Sequence, residues 1–430
     1  MFKKIIQFKL KILARFILAK YQPQIVGITG SLGKTSAKEA VATVLGAKFR
    51  IRSSVKNYNN EFGLPLTIIG ALSPGRSLAG WCRVLMRGWS LLLKHRTDYP
   101  EVLILEMGVD HPGDMDYLNS LVKPNVAVLT MIGVSHLENF GSQSKLASEK
   151  RKIFDNLDKS GWVVINYDSE RLRDLSQDLK FKVLTYGLEE GAAVRAINLN
   201  FRFQEDDAED DLLGINFKIA YKDAYIPVRL PRAISRTAVL AALAGFSVGL
   251  TYKLNPVDMA QALREFAPPK GRMNLLAGLN GAIIIDDTYN SAPQSAEAAL
   301  DVVGDMRLKR GQRQWIVLAD MLELGEASEQ AHLALGERVA RLKKAHLLTM
   351  GQEALYIGIG ARQAGLSEES MHYFNNHQEI INFLKENLSA GDIVLVKGSQ
   401  GMRLEKVVRG IMAEPEQAAE LLVRQGSDWE

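Results

Sequence analysis

The sequence predicts an α/β protein built on two parallel sheets, and three observations carry that expectation. From Gln24 onward short β-branched runs alternate with longer helical stretches, as in QIVGIT, KTSAKEAVATVL, EVLILEMG and NVAVLTMIG, the rhythm of strands joined by crossover helices. A second series of the same kind, GAIIIDD, RQWIVLAD, AHLLTMG and DIVLVKG, starts at Gly281. Between the two, FAPPKGR (266–272) sets two prolines and a glycine between helical and strand patterns, which reads as a joint. The expected organisation is a basic amphipathic helix over 1–24, a central domain over 25–268 and a C-terminal domain over 269–430.

The first helix interleaves Lys3, Lys4, Lys9, Lys11, Arg15 and Lys20 with apolar residues at 2, 5, 6, 12, 13, 16 and 17, and no Asp or Glu precedes Glu39. It is too charged to span a bilayer and lacks the uninterrupted apolar core of a signal peptide. Two roles remain: packing an apolar stripe on its own protein, or lying on an anionic membrane surface. RSLAGWCRVLMRGWSLLLKHR (76–96), with five Lys or Arg, two Trp and no acid, invites the same two readings.

The first strand runs into GITGSLGKTS (27–36) and then a helical pattern, the context a phosphate loop needs. Glycines let backbone N–H groups turn toward phosphate oxygens, and the helix N-terminus adds partial positive charge. Gly30, Ser31, Leu32, Gly33, Lys34, Thr35 and Ser36 form the expected cradle, with Lys34 on the terminal phosphates of ATP and the Thr35 hydroxyl on Mg²⁺. Ile28 stands where the standard GxxxxGK[ST] spacing has its first glycine. Glu106 closes the strand EVLILEMG and His136 follows the next apolar strand, so both are expected at the sheet edge that holds the loop. These features describe a P-loop NTPase-type central domain.

Residues 195–230 break the parallel rhythm, with RAINLNFRFQEDD and GINFKIAYKDAYIPVRL reading as a small antiparallel section, before the helix TAVLAALAGFSVGL. The C-terminal series reads as a Rossmann-like α/β domain. Its DDTYN follows the apolar strand GAIII, placing polar groups at a strand's C-terminal end, where open sheets bind ligands. The tail from Glu414 reads as a polar helix or a fraying end. EKRKIF (149–154) reads, by composition alone, as a solvated charge run.

Bulk properties exclude several classes. Of 430 residues, 47% are hydrophobic, enough for large cores, and the single cysteine, Cys82, rules out a disulfide framework. The net charge of +4 is too small for a nucleic-acid footprint. A cytoplasmic monomer, with membrane contact through 1–20 and 76–96 as an option, fits these properties.

TGSLGKTSAKEA, NYNNEFGLPLT, LEMGVDHPGDM, IGVSHLENFGS, GRMN, DDTYNSAP, LADMLELG and LVKGSQGM resemble, in order and spacing, the motifs of the Mur ligases, over roughly residues 24 to 410. The resemblance implies an ATP- and Mg²⁺-dependent ligase of peptidoglycan precursor synthesis, of the branch that adds D-alanyl-D-alanine to a UDP-muramoyl-tripeptide through an acyl phosphate. It implies that Lys34 and Thr35 serve phosphate and Mg²⁺, that Glu106 and His136 assist the metal, and that Asn57 and Asn60 line the substrate side. It puts a carbamylated lysine on Lys150, where Lys152 replaces an acid usual two positions later. Arg272 is implied at the γ-phosphate after domain closure, and Asp287, Tyr289 and Asn290 at the nucleotide. Asn290 and Ala292, with Lys397 and Ser399, are implied near the incoming dipeptide. Thr237 and Gln400 depart from the family's asparagine and arginine. The family's usual N-terminal uridine-binding domain has no counterpart in residues 1–24. Two other readings stand beside this one: a Mur-like ligase for a different carboxylate acceptor, including a folylpolyglutamate-like one, and a non-ligating ATP-binding subunit that needs a partner.

Overall fold

The computed structural model describes residues 2–55, 58–94, 96–132, 137–177, 179–202, 214–306, 308–342 and 344–426. The chain divides into two compact units. The first comprises residues 1–200, 216–230 and 236–267, and the second 201–215, 231–235 and 268–430.

The first unit is organised by a nine-stranded sheet. Its strands are β1 (Gln24–Thr29), β2 (Ile51–Ser53), β3 (Val102–Glu106), β4 (Val126–Leu129), β5 (Trp162–Asn166), β6 (Lys182–Gly187), β7 (Val194–Arg202), β8 (Gly214–Tyr221) and β9 (Ala224–Leu230). They lie in the order β2-β3-β1-β4-β5-β6-β7-β8-β9. Parallel pairing runs from β2 to β7. Neighbours β8 and β9 are joined by Lys222 and Asp223 alone, a connection that only an antiparallel hairpin permits. The switch in strand direction therefore falls in the region whose sequence breaks the βα rhythm.

Apolar side chains on the sheet explain the layering. VLILE of β3 is buried along its whole length, as a central parallel strand covered on both faces should be. On one face, α2 (Lys34–Gly46) packs against the alanine-rich helix Arg236–Thr251. Gly245 permits this crossing, since a Cβ there would lie 2.8 Å from the Ala40 backbone. On the other face, α1 (Phe2–Tyr21) sends Ile6, Leu10, Leu13, Ala14 and Ile17 into a core shared with α3 (Gly63–Ile69), α4 (Leu78–Leu93) and the strands. The leader helix is thus an integral wall of this unit. The elements α5 (Asp114–Asn119), α6 (Leu137–Phe140) and α7 (Gln143–Arg151) follow β3 and β4.

The second unit holds β10 (Asn274–Ala277), β11 (Ile283–Asp287), β12 (Gln314–Ala319), β13 (Ala345–Met350), β14 (Met371–Phe374) and β15 (Ile393–Lys397) in the order β10-β11-β15-β12-β13-β14. All pairs are parallel except β10 with β11. The tail differs from its sequence reading. Ala418 and Leu422 are buried in the core beneath the sheet, and Arg424 is ion-paired to the buried Glu405, so residues 415–424 are tied down by apolar residues spaced among their charges. Among the described residues no helix is long and apolar enough to cross a membrane.

Candidate active site

In the first unit the strand β1 feeds directly into the loop Gly30–Gly33 and then into α2. Gly33 sits at φ 80° immediately before the helix, and Gly30 at φ 146°, where a Cβ would lie 2.1 Å from Thr130 Oγ1. Both positions demand glycine, one for its left-handed backbone and one also for space. The loop is strapped to the end of β4: Ser31 N donates to Met131 O at 2.6 Å, and Thr130 Oγ1 donates to Leu32 O at 2.6 Å. Lys34 folds back across the loop and donates to Gly30 O at 2.7 Å and Ser31 O at 3.2 Å. Thr35 and Ser36 occupy the first turn of α2, with Ser36 buried. The Ser31 hydroxyl is buried with no hydrogen-bond partner among the described residues. The loop's geometry makes it a candidate anion cradle.

Strand register brings Glu106 to the same edge, because β3 pairs with β1 so that Glu106 lies opposite Ile28. Glu106 is 2% exposed. Its Oε1 accepts from Asn59 Nδ2 at 3.4 Å, its N–H donates to Ser54 Oγ, and its Oε2 is buried with no hydrogen-bond partner among the described residues. A buried carboxylate oxygen in that condition is costly unless a cation meets it, and the oxygen donors Thr35 and Glu106 are of the kind Mg²⁺ takes. Ser54 is itself held by the buried Lys38, which donates to Ser54 O at 2.6 Å. No group of three His, Cys, Asp or Glu gathers among the described residues. His136 and Asn57 lie outside the described residues.

Lys150 corrects the solvated reading of EKRKIF. Its side chain is 1% exposed at the end of α7. Burial first, and the nearby Lys34 charge second, pull its ammonium down to about 7 against the smaller opposing pull of Asp110 and Glu149. Among the described residues its ammonium makes no hydrogen bond or ion pair, in contrast to that of Lys152. The rest of the run has other duties. Glu149 is buried and accepts from Gly113 N and Met115 N at the start of α5, while Lys152 pairs with Glu149 at 2.8 Å and Asp116 at 2.6 Å. Lys152, the departure from the family pattern, is thereby a strut between α7 and α5.

Asn60 points its Oδ1 at Phe62 N and Gly63 N, capping α3. Its neighbour Asn59, absent from the sequence-derived set, is the one that reaches Glu106, and Gly108 leaves room for it. Thr130, Lys38 and Ser54 were also missed. None has a motif signature, since each acts through contacts far apart in sequence.

The second unit brings most of its candidates together. The Arg272 guanidinium lies 4.2 Å over the Tyr289 ring, and Arg424 approaches the same ring at 5.8 Å. Gly271 at φ 68° accepts from Tyr289 N through its carbonyl. Asp287 and Lys397 form a buried pair at 2.6 Å, and Lys397 also donates to Asn290 O. Gln400 N donates to Asn290 Oδ1, and Ser399 Oγ accepts from Leu322 N. Ala292 precedes the helix Pro293–Asp305 and is bracketed by Ser295 Oγ. Lys397 therefore braces the DDTYN turn from the neighbouring strand end, and Ser399 holds the residue after it, donating from its hydroxyl to Ser291 O at 3.3 Å. Asp286, beside this cluster, is fully buried. Burial pushes it up to about 6 against the hydrogen bonds from Thr288.

A candidate phosphate cradle with an unsatisfied buried acid beside it, on a mostly parallel sheet followed by a mixed-sheet unit, points to a nucleotide-dependent enzyme class, and comparison with known proteins says which. The Mur ligase middle domain matches residues 88–231, and the Mur ligase glutamate ligase domain matches residues 271–400. The chain belongs to the Mur ligase family of ATP-dependent ligases. It is 28% identical over 403 residues to UDP-N-acetylmuramoyl-tripeptide--D-alanyl-D-alanine ligase of Bacillus subtilis, covering 94% of this chain and 79% of that one. Its fold matches MurF from Acinetobacter baumannii with a TM-score of 0.75 at 24% identity, over 94% of this chain and 79% of that chain. It matches MurF ligase from Thermotoga maritima, solved in complex with ADP, with the same score and identity over 96% and 84%.

Proposed function

We propose that this chain ligates D-alanyl-D-alanine to a UDP-muramoyl-tripeptide, using ATP. The carrying observation is the pairing, at one sheet edge, of the Gly30–Ser36 cradle with Glu106, whose buried Oε2 has no partner among the described residues. The acceptor is assigned by likeness to the UDP-N-acetylmuramoyl-tripeptide--D-alanyl-D-alanine ligase of Bacillus subtilis.

In this reading the cradle N–H groups and Lys34 hold the β- and γ-phosphates while a peptide carboxylate oxygen attacks the γ-phosphorus and ADP leaves. The dipeptide amine then attacks the acyl carbon, loses a proton, and phosphate departs with the attacking oxygen. Thr35 and Glu106 would hold Mg²⁺, which supplies charge neutralisation at the transferring group. Lys150 is suited to carbamylation because burial makes its neutral, nucleophilic amine available near pH 7, and the product would be an added anionic oxygen donor facing Lys34. Arg272, whose guanidinium lies 4.2 Å over the Tyr289 ring, is assigned to the γ-phosphate, and the DDTYN turn to the nucleotide and dipeptide.

The test incubates the protein with ATP, Mg²⁺, D-alanyl-D-alanine and UDP-muramoyl-tripeptide, following phosphate and pentapeptide together. Stoichiometric formation of both supports the reading. Phosphate without pentapeptide, across a panel of carboxylate acceptors, sinks the substrate assignment.

A further inference from the structure

The helices α1 and α4 are neighbours within the first unit. Lys20 Nζ donates to Leu91 O, Leu92 O and Lys94 O at the end of α4 at 2.8–3.1 Å, and Gly88 lets α4 approach until a Cβ would sit 3.1 Å from Leu13. Each helix buries one face in the core, yet each also carries a second apolar face that the unit does not cover. On α1 this is Ile5, Phe8, Ile12 and Phe16, exposed by 48, 65, 37 and 59%. On α4 it is Leu78, Met86, Trp89 and Leu93, exposed by 63, 61, 56 and 81%.

Ile5, Phe8, Ile12 and Phe16 recur every three or four positions, and the α4 residues do so once the exposed Cys82, between Leu78 and Met86, is counted with them, so at about 3.6 residues per turn each set forms one stripe. Cations border both stripes. Lys4 and Arg15 lie on one side of the α1 stripe and Lys9 on the other, while Arg83 and Lys94 lie beside the α4 stripe; all five are exposed. No Asp or Glu occurs before Glu39 or between Glu61 and Asp98.

We infer that α1 and α4 together form a docking face for an anionic lipid bilayer, lying in the plane of the headgroups. An apolar stripe rimmed by Lys and Arg is the form of an interfacial helix, which gains from buried apolar area and from attraction to anionic lipid together. A second copy of this face is a poor occupant, because the rims would set cation against cation. The stripes are spare surface of helices whose inner faces are already locked into the core, so docking needs no unfolding.

The test uses the full chain with vesicles of phosphatidylglycerol and phosphatidylcholine in equal parts, against phosphatidylcholine alone. The protein is expected to float with the anionic vesicles only, and less so as salt rises. The pairs Phe8→Ser/Phe16→Ser and Met86→Ser/Leu93→Ser should each lower the vesicle-bound partition about tenfold with unfolding midpoints unmoved, since all four side chains are exposed. Brominated lipid in the anionic vesicles should quench tryptophan emission, and Trp89→Phe should remove most of that quenching; this readout decides the matter should a serine pair disturb the fold. Absence of flotation, equal flotation of the serine pairs, or quenching indifferent to Trp89 overturns the inference. So does a lipid-free dimer, in sedimentation velocity, that both serine pairs dissociate.

Discussion

Replacing Lys150 by methionine should stabilise the protein at neutral pH while abolishing ligation. The lysine is 1% exposed, and its folded-state pKa is about 7 against 10.5 for the free side chain. Between those values the unfolded chain binds more protons than the folded one, so stability rises with pH across the window. The penalty is fully present below pH 7 and is relieved as pH climbs toward 10.5. At pH 7 it is on the order of 4 kcal/mol, and at pH 10 under about 1 kcal/mol. Methionine fills a similar volume without charge. Denaturant unfolding in carbonate-free buffer should therefore show the variant more stable by about 4 kcal/mol at pH 7, with the gain shrinking at pH 10, and ATP-dependent amide formation lost. A variant that is less stable at pH 7, or a gain indifferent to pH, refutes the burial argument. A fully active variant refutes the role of Lys150.

Other perturbations probe other parts of the site. Gly30→Ala forces a methyl to within 2.1 Å of Thr130 Oγ1 at φ 146°, so calorimetric titration should show ATP binding weakened at least about tenfold, with a loss of about 1–3 kcal/mol in stability. Lys397→Met strands Asp287 without its 2.6 Å partner and should cost about 3–5 kcal/mol in urea unfolding. Arg272→Ala removes a cation that rests on a ring rather than in an ion pair, so turnover should fall by about two orders of magnitude while the unfolding midpoint moves by less than about 1 kcal/mol equivalent.

The candidate phosphate loop is legible in the sequence because its pattern is local: a strand, two glycines with special backbone needs and a GKT run lie within a dozen residues. Glu106 is legible for a related reason, since the last residue of a parallel strand must emerge at the ligand edge. Lys150 shows where such reading stops. In EKRKIF four of the six residues are charged, and nothing local reveals that Glu149 is consumed by two backbone donors of α5, or that Lys152 bridges to Asp116 and leaves Lys150 facing inward. Asn59 and Asn60 make the same point at single-residue scale. Both are plausible ligands by type, but the turn before α3 takes Asn60 for the cap and sends Asn59 toward Glu106. The tail beyond Glu414 reads as a polar helix or a fraying end because charges and glutamines are interspersed among its apolar residues, whereas burial of Leu422 and the Arg424–Glu405 pair is tertiary.

The central claim, ligation through an acyl phosphate, is tested most directly by following oxygen. With both oxygens of the muramoyl-tripeptide's reacting carboxylate labelled with ¹⁸O, and with ATP, Mg²⁺ and D-alanyl-D-alanine present, mass spectrometry should find one ¹⁸O in each phosphate released, matched by one pentapeptide carrying the other. Phosphate released without label would contradict the account, because its oxygen would then come from water and the chain would be hydrolysing ATP without activating a carboxylate.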